Sequence, residues 1–153
     1  VERIDVESAG QMLAVVLVDP GEIFIACAAV ADYRAASVAA EKVKKHDEKL
    51  TLELQRNRDI LATVSALDNA PFTVGFAAET ENMLENARNK LQKKQLDMIA
   101  ANWVGERAEG GGFNSDENAL QLIWVDGERS LQRSDKNELA RRLLDAVVER
   151  FSK

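Results

Sequence analysis

Apolar, β-forming runs alternate along this chain with segments whose apolar residues recur at helical spacing, and this alternation restricts the fold most. The runs predict strands at residues 3–6, 22–30, 50–55, 72–78, 96–102 and 119–126. Helices are predicted after a Ser8–Gln11 capping box, through residues 60–67, from about residue 80 to 91, and through residues 139–151 behind Ser134 or Asp135. Strands joined by helices favour right-handed crossovers. We therefore predict an α/β fold with a three-layer, Rossmann-like and mostly parallel sheet.

Two kinds of strand pattern distinguish the centre of the predicted sheet from its margin. The runs at 22–30 and 96–102 are apolar almost throughout, which is typical of strands buried on both faces. Cys27, inside the first run, is therefore expected to be a buried small hydrophobe rather than a reactive thiol. The run LTLELQ at 50–55 alternates strictly between apolar and polar residues. We expect such a strand at an edge, or in a strand and flap arm that is used in dimerisation.

Length and charge exclude several classes of protein. A chain of 153 residues suits one domain, and its longest apolar run has about half of the roughly 20 residues that a membrane-spanning helix needs. The net charge of −6 argues against general nucleic-acid binding, which needs a broad basic face. We therefore expect a cytoplasmic protein with no nucleic-acid partner and no membrane partner.

Polar residues follow the predicted strands at the end of the sheet where α/β proteins bind ligands. Asp32, Tyr33 and Arg34 follow the second strand, Glu79 and Thr80 the fourth, and Asn102 the fifth. Neither a GxGxxG fingerprint nor a GxxxxGK[ST] loop follows a strand, and the glycines at residues 109–113 indicate a loop. Taken alone, Asp32 fits a cap of the next turn, or a ligand of a ribose hydroxyl or a metal.

Two lysine clusters, EKVKK (41–45) and ARNKLQKK (87–94), are the candidate phosphate sites. In the first, the spacing of Lys42 from the next two lysines lets two ammonium groups face a polyphosphate. In the second, Lys90 and Lys94 repel each other at four-residue spacing with no acid nearby in the sequence, and a bound anion would relieve that repulsion. Taken alone, each cluster fits a solvated surface better than a binding site.

Six motifs occur in a fixed order: CAAVADYR (27–34), EKVKK (41–45), LTLELQRNRDIL (50–61), VGFAAET (74–80), ARNKLQKKQLDMIAAN (87–102) and GGFNSDENAL (111–120). Together they closely resemble the phosphopantothenate-cysteine ligase family. The resemblance runs from about residue 22 to the C-terminus, and the six motifs in order are far more specific than any one of them. In many bacteria such a ligase is the C-terminal half of a bifunctional flavoprotein of coenzyme A biosynthesis.

The resemblance implies a CTP-dependent ligase. The family activates the carboxylate of 4′-phosphopantothenate with CTP, giving an acyl cytidylate and pyrophosphate, and cysteine then displaces CMP to form an amide. The implied partners are CTP, 4′-phosphopantothenate and cysteine, with Mg²⁺ as the cofactor and its ligands unassigned. The bacterial character of the motifs favours CTP over ATP. The resemblance also implies a homodimer with the flap region near the partner.

The resemblance assigns site residues position by position. Ala28, Ala29 and Asp32 match the strand-end motif that meets the intermediate and the nucleotide, and Lys42 matches the first lysine of the family's flap. Arg58 stands where the family has a proline, which removes any contact of that ring but leaves the amides at the helix start. The implied nucleotide-binding residues are Ala28, Ala29, Asp32, Lys42, Asn57, Arg58, Asp59, Ile60, Leu61, Phe76, Lys90 and Lys94, with Lys42 and Asp32 as the catalytic candidates.

The family opens with a glycine-rich first strand and turn, followed by a phosphopantothenate-binding asparagine, and no segment of this chain matches them. We therefore expect residues 1–153 to form a single CTP-binding ligase domain that is N-terminally truncated and nearly inactive alone. Part of the phosphopantothenate site would be missing. FMN would belong to an upstream decarboxylase domain that is not present here.

Two other functions stay open. A nicotinamide-dependent oxidoreductase domain is compatible with the α/β pattern but disfavoured by the absent glycine fingerprint. A non-catalytic dimerisation module is suggested by the alternating strand at 50–55. Titration with CTP and with NADPH tests the first, and light scattering with and without CTP and Mg²⁺ tests the second.

Overall fold

The structure, a computed structural model, describes residues 2–42, 50–104 and 115–153. The described residues form α1 (Ala9–Val18), β1 (Ile23–Ala26), β2 (Tyr33–Ala35), β3 (Leu54–Arg56), α2 (Ile60–Ser65), β4 (Phe72–Glu79), α3 (Met83–Lys93), β5 (Met98–Trp103), β6 (Glu117–Trp124), β7 (Gly127–Asp135) and α4 (Lys136–Phe151). The predicted capping box is present, because the Gln11 amide donates to Ser8 Oγ and the Ser8 amide donates to Gln11 Oε1. None of the helices in this described part is long and apolar enough to cross a membrane.

Five strands form the central sheet in the order β1-β4-β5-β6-β7. β1, β4 and β5 pair in parallel, β6 is antiparallel to β5, and β7 is antiparallel to β6. Four of the five strands therefore point the same way. Helix α4 packs on one face of the sheet, and α2 and α3 pack on the other. The predicted three-layer α/β fold is confirmed.

β5 shows why a continuous apolar run makes an inner strand. Met98 and Ala100 pack in the cluster under α4, Ile99 and Ala101 pack in the cluster under α3, and all four are completely buried. Successive side chains of a strand point to opposite faces, so a strand covered on both faces has no position for a polar residue. Burial of a large side chain such as Ile99 contributes about 1.5–3 kcal/mol.

β1 is shorter and more exposed than its sequence pattern predicts. The apolar run at 22–30 predicts a strand buried on both faces, yet β1 ends at Ala26 and its residues are only half-buried. β1 pairs with β4 alone among the described strands, so its other edge lacks a neighbour. Beyond Ala26 the chain leaves the sheet, and Cys27, expected to be buried, is exposed. The predicted strand at 3–6 is not formed, and those residues are exposed.

β2 and β3 form a separate two-stranded antiparallel sheet, which we call the arm. The alternating run at 50–55 predicts an edge strand or a side arm, and the side arm is what forms, although only its last residues lie in β3. β2 carries no apolar pattern and was not predicted. Tyr33, Leu52 and Leu54 are each more than half exposed on or beside the arm. Use of the arm in dimerisation stays a prediction.

β6 and β7 form an antiparallel hairpin beside β5. β6 matches the predicted strand at 119–126, but β7 was not predicted. Leu131 is the one buried residue of β7, and most of the others are polar and exposed. The sequence of β7 therefore has no apolar periodicity. Helix α4 follows directly. Its N-cap is Asp135 rather than Ser134, since the Asp135 carboxylate accepts hydrogen bonds from the backbone amides of Asn137 and Glu138.

Candidate functional site

A cavity of about 270 Å³ opens beyond the end of β1, between the loop that follows this strand and the segment that leads into α2. The carboxyl ends of parallel strands are where open α/β sheets bind ligands, so this cavity is the candidate site. Its lining consists of Met12 of α1, Phe24 and Ala26 of β1, residues 28–32, residues 56–61, Phe76 of β4, and Lys94.

The floor of the cavity is apolar and rests on the sheet. Phe24 and Ala26 of β1 pack against the cluster that contains Leu61 of α2. Phe76 of β4 also lines the cavity, but it packs against the cluster beneath α4. Leu61 reaches the sheet because β4 has a glycine at position 75, where a Cβ atom would stand 2.8 Å from Leu61 Cδ2. Gly75 therefore lets α2 pack directly on β4, which sets the position of the floor.

An ion pair lies on the polar side of the cavity. Lys94 Nζ is 2.7 Å from Asp59 Oδ2, and Asp59 Oδ1 accepts the amide of Ala62, which caps α2. Burial raises the pKa of the Asp59 carboxyl, but the Lys94 hydrogen bond, the Ala62 amide and the charges of Lys94 and Arg56 together hold that pKa below its ordinary value of 3.8. Asp59 is therefore an anion at neutral pH and offsets part of the positive charge of Lys94.

The backbone also holds Lys94 at the cavity. Lys94 is the cap residue at the C-terminus of α3, where its amide donates to the carbonyl of Lys90 at 3.1 Å. Its own carbonyl accepts the hydroxyl of Ser65, at the end of α2, at 2.6 Å. Gln95, the next residue, takes a left-handed φ of 52°, which turns the chain out of the helix. Lys94 is thus tied to α2 through its side chain and its main chain.

Asn57 connects the segment before α2 to residues 27–32, which we call the strand-end loop. Its Nδ2 donates to the carbonyl of Ala31 at 2.8 Å, and its backbone amide donates to the carbonyl of Asp32 at 2.7 Å. Its Oδ1 accepts from Arg34 Nη1 of the arm at 2.8 Å. This wall of the cavity is therefore held by hydrogen bonds rather than by a buried core.

The fold brings ten of the twelve implied nucleotide residues into one lining. These are Ala28, Ala29, Asp32, Asn57, Arg58, Asp59, Ile60, Leu61, Phe76 and Lys94. The lining also includes Met12, Phe24 and Arg56, which were not singled out from the sequence. Met12 and Phe24 have the pattern of ordinary core residues of an amphipathic helix and a strand, so only their position in the fold marks them. Nucleotide contact by any of these residues stays a prediction.

Lys42 and Lys90 lie outside this lining. Lys90 Nζ is 3.4 Å from Glu79 Oε1, and the Glu79 side chain is only 16% exposed. In the folded chain, Lys90 and Lys94 therefore each form an ion pair with an acidic residue that is distant in the sequence. Lys42 is exposed and forms no ion pair with the described residues. The remainder of EKVKK, His46 and residues 109–114 fall outside those described.

Two carboxylates line the cavity, Asp32 and Asp59. Asp59 is engaged by Lys94, whereas the Asp32 side chain makes no hydrogen bond or ion pair within the described ranges. No cluster of three or more His, Cys, Asp or Glu side chains that could hold a metal occurs among those residues. A single available carboxylate suits a hydrated Mg²⁺ that arrives with nucleotide phosphates, because Mg²⁺ keeps several waters and is commonly shared with phosphate oxygens.

Residues 1–151 match the family described as the DNA/pantothenate metabolism flavoprotein C-terminal domain. The chain is 50% identical, over 99% of its length, to the coenzyme A biosynthesis bifunctional protein CoaBC of Escherichia coli. It is 48% identical, again over 99% of its length, to the protein of the same name from Vibrio cholerae. The chain spans 38% and 39% of the lengths of these two relatives.

Solved structures show the same fold. The crystal structure of the C-terminal domain of coenzyme A biosynthesis bifunctional protein CoaBC is similar with a TM-score of 0.72 at 33% identity, covering 94% of this chain and 63% of that one. The DNA/pantothenate metabolism flavoprotein from Streptococcus pneumoniae is similar with a TM-score of 0.74 at 19% identity, covering 94% of this chain and 71% of that one.

Proposed function

Since the chain belongs to the family of DNA/pantothenate metabolism flavoprotein C-terminal domains, we propose that residues 1–153 form the CTP-binding domain of a ligase that joins 4′-phosphopantothenate to cysteine, with part of the phosphopantothenate site outside these residues. The observation that carries this proposal is the 50% identity, over 99% of the chain, to a bifunctional protein of coenzyme A biosynthesis. Because the chain spans 38% of that relative, it is proposed to carry one of two activities.

The charges of the cavity support nucleotide binding. Arg56, Arg58 and Lys94 line it against the two carboxylates Asp32 and Asp59. Arginine and lysine are the side chains that neutralise phosphate oxygens, while a half-buried ring such as Phe76 offers an apolar surface to a base. In this proposal the base lies against the apolar floor, and the phosphates extend toward the cations.

The ligase reaction has two steps. First, a carboxylate oxygen of phosphopantothenate attacks the α-phosphorus of CTP, the new O–P bond forms, and pyrophosphate leaves. Second, the amine of cysteine attacks the acyl carbon, the C–N bond forms, the C–O bond breaks, and CMP leaves. In the first step the enzyme acts mostly by positioning groups and neutralising charge, which suits a cavity with several cations.

Each predicted catalytic residue has a place in this scheme. Asp32 is the available carboxylate on the strand-end loop, where it can hold a ribose hydroxyl or water molecules of a hydrated Mg²⁺. Mg²⁺ supplies neutralisation of the phosphate charge when it is bound. Lys42 belongs to the proposed flap, which closes over the acyl cytidylate, excludes water and stabilises the oxyanion of the second step. Lys90 and Lys94 bind phosphate oxygens in exchange for part of their contact with Glu79 and Asp59.

The proposal extends to the whole protein. We propose a cytoplasmic homodimer in which the exposed apolar side chains of the arm, including Tyr33 and Leu54, contribute to the contact between subunits. FMN is assigned to no residue of this chain, and in this proposal it belongs to the other activity of the bifunctional relatives. Cysteine and 4′-phosphopantothenate are the other two substrates.

Isothermal titration of the chain with CTP, ATP and NADPH, each with and without Mg²⁺, tests the nucleotide site. We expect a saturable signal for CTP with Mg²⁺ that is stronger than the signal for ATP, and none for NADPH. Binding of NADPH alone would support the oxidoreductase alternative. Absence of any nucleotide signal would contradict the proposal for this chain.

Two neighbouring lysines provide a matched pair of variants. Lys94 lines the cavity, whereas Lys93, with the same charge on the preceding residue, is exposed and makes no ion pair with the described residues. Loss of a hydrogen bond to a charged group corresponds to a tenfold or larger change in affinity, so we expect Lys94→Ala to weaken CTP binding by about tenfold or more. Lys93→Ala should bind CTP as the unmodified chain does. Equal losses in both variants would contradict a specific contact at Lys94.

Lys42→Gln tests the role of the flap in a single-turnover assay with all three substrates and excess protein, because residues 1–153 are expected to be nearly inactive alone. We expect the acyl cytidylate to form and then to accumulate, because the second step loses its cationic group. Mass spectrometry of the quenched reaction measures the intermediate. Unchanged amide formation in the variant would exclude a catalytic role for Lys42.

A further inference from the structure

Arg34 and Asn57 meet at the base of the arm in a set of hydrogen bonds that we call the clamp. Arg34 lies in β2, and Asn57 directly follows β3. Arg34 Nη1 donates to Asn57 Oδ1 at 2.8 Å and to the carbonyl of Arg56 at 3.4 Å. Gln55 is the cross-strand partner of Arg34. When the Gln55 side-chain amide is turned to the orientation that its neighbours favour, its oxygen accepts hydrogen bonds from Arg34 Nε and Nη2, each at 3.1 Å. Arg34 thus ties the two strands of the arm together.

On its other side the clamp holds the strand-end loop. Within the described residues, residues 28–32 form two hydrogen bonds with residues outside the loop, and both are donated by Asn57. The two partners of the Asn57 side chain also define its orientation, since Oδ1 must face the Arg34 guanidinium and Nδ2 must face the Ala31 carbonyl. The loop is otherwise exposed, so little apolar burial holds it in place.

Arg34 itself lies outside the candidate site. It lines a separate, neighbouring cavity of about 370 Å³ together with Asn57, Arg58 and the start of α1. The lining of the candidate site includes Asn57 but not Arg34. Arg34 contacts the lining of the candidate site through the Asn57 side chain at 2.8 Å and, more weakly, through the carbonyl of Arg56 at 3.4 Å.

We propose that Arg34 and Asn57 are positioning residues, which together hold the strand-end loop in the conformation that receives the nucleotide and couple that loop to the arm. This inference rests on the proposed function, because it concerns the affinity of the same site. It changes the role of Asn57 from a direct nucleotide contact to a support of Ala28, Ala29 and Asp32. Because the arm is proposed to contact the partner subunit, the clamp links subunit contact to the nucleotide site.

A double-mutant cycle tests the coupling. Loss of one hydrogen bond corresponds to about a fivefold change in an equilibrium constant, so we expect Arg34→Ala and Asn57→Ala each to weaken CTP binding, measured with Mg²⁺ by calorimetry, by about fivefold. The double variant should be no weaker than the weaker single variant, because both changes break one unit. Arg34→Lys keeps a donor for Asn57 Oδ1 and should restore most of the affinity. Arg129→Ala, which removes a surface ion pair with Glu149 on the other side of the protein, is the matched arginine control and should bind CTP normally.

Hydrogen exchange without nucleotide separates positioning from a general loss of stability. We expect Arg34→Ala to speed exchange of the Asn57 amide, which donates to the Asp32 carbonyl of the loop, and to leave β4 and β5 protected. Normal CTP affinity in Arg34→Ala, or fold-losses that multiply in the double variant, would overturn the clamp. Faster exchange throughout the sheet would also overturn it. If the unmodified chain binds no CTP, the proposed function fails for this chain, and exchange of the Asn57 amide still decides whether the clamp exists.

Discussion

The sheet beneath α4 and the wall of the candidate site are held together by different interactions. Beneath α4, Leu122, Val147 and Met98 are completely buried in one apolar cluster. At the wall, the strand-end loop is exposed, and Asn57 holds it by two hydrogen bonds. One region is therefore stabilised by apolar burial and the other by polar contacts near water.

This difference separates stability from the capacity to rearrange. Complete burial of a large apolar side chain contributes about 1.5–3 kcal/mol, whereas one hydrogen bond that replaces a bond to water contributes about 0.5–1.5 kcal/mol. A loop held by two such bonds opens at a small fraction of the free energy needed to unfold the sheet. Substrates that must enter and leave need this property, while the strands that place the loop must not move.

The largest effect is expected in the buried cluster. Leu122→Ala should lower the free energy of unfolding by about 2–5 kcal/mol, because it removes apolar contacts and leaves a cavity under α4. Denaturation with urea measures the change. CTP affinity at a temperature where the variant is folded should be unaltered. A loss below about 1 kcal/mol would mean that this cluster contributes less than its burial implies.

Gly75→Ala should affect both regions, because this residue connects the sheet to the floor of the site. The new Cβ would stand 2.8 Å from both Leu61 Cδ2 and Leu96 Cδ1, and overpacking of this kind lowers the free energy of unfolding by about 1–3 kcal/mol. Displacement of Leu61 should also weaken CTP binding.

Gly10→Ala is the matched control for that substitution. Gly10 lies in α1, and apart from its chain neighbours and the backbone of its own helix no heavy atom lies within 4 Å of the added Cβ, so the change should raise the free energy of unfolding by about 0.4–1 kcal/mol. If Gly75→Ala is as stable as the unmodified chain, α2 does not need the close approach to β4. Thermal and urea unfolding measure both variants.

A smaller, pH-dependent effect is expected for Asp59 at the wall of the site. Because its folded pKa lies below 3.8, the folded state favours the anion. The stabilising contribution is therefore fully present above that ordinary value and is lost as the pH falls through the folded pKa. Asp59→Asn keeps a cap for α2 but loses the charge that faces Lys94, so it should be less stable near pH 7, and the difference from the unmodified chain should shrink below about pH 4. A difference that does not depend on pH would contradict the ion pair as its cause.

The smallest effect is expected on the solvent side of α4. Arg142 pairs with Glu138 one helical turn before it, at 2.9 Å, and both side chains are more than a third exposed. Arg142→Ala should lower the free energy of unfolding by about 0.2–0.5 kcal/mol, because exposed pairs at this spacing contribute little. High salt should reduce the difference further. A decrease in the free energy of unfolding of more than about 1 kcal/mol would show that the aliphatic part of the Arg142 side chain also packs on α4.

Much of the fold could be predicted because it depends on short-range patterns. The apolar run that became β5, the capping box at Ser8 and the alternation of strands with helices each depend on residues a few positions apart. β2 and β7 were missed for the same reason, since exposed polar strands carry no apolar period and form only because a partner strand is adjacent. β1 was predicted too long because its pattern does not reveal that, among the described strands, it pairs with β4 alone.

The sequence by itself determined the α/β alternation, the helix caps and the six ordered motifs that indicate the ligase family. Only the tertiary structure decided which motif residues share a cavity, that Lys90 and Lys94 pair with Glu79 and Asp59, and that Asn57 joins the strand-end loop to the arm. The physical reason is the range of the interactions. Periodicity and capping act within about one helical turn, whereas these contacts join segments that lie 11 to 35 residues apart and meet only after the sheet has been packed.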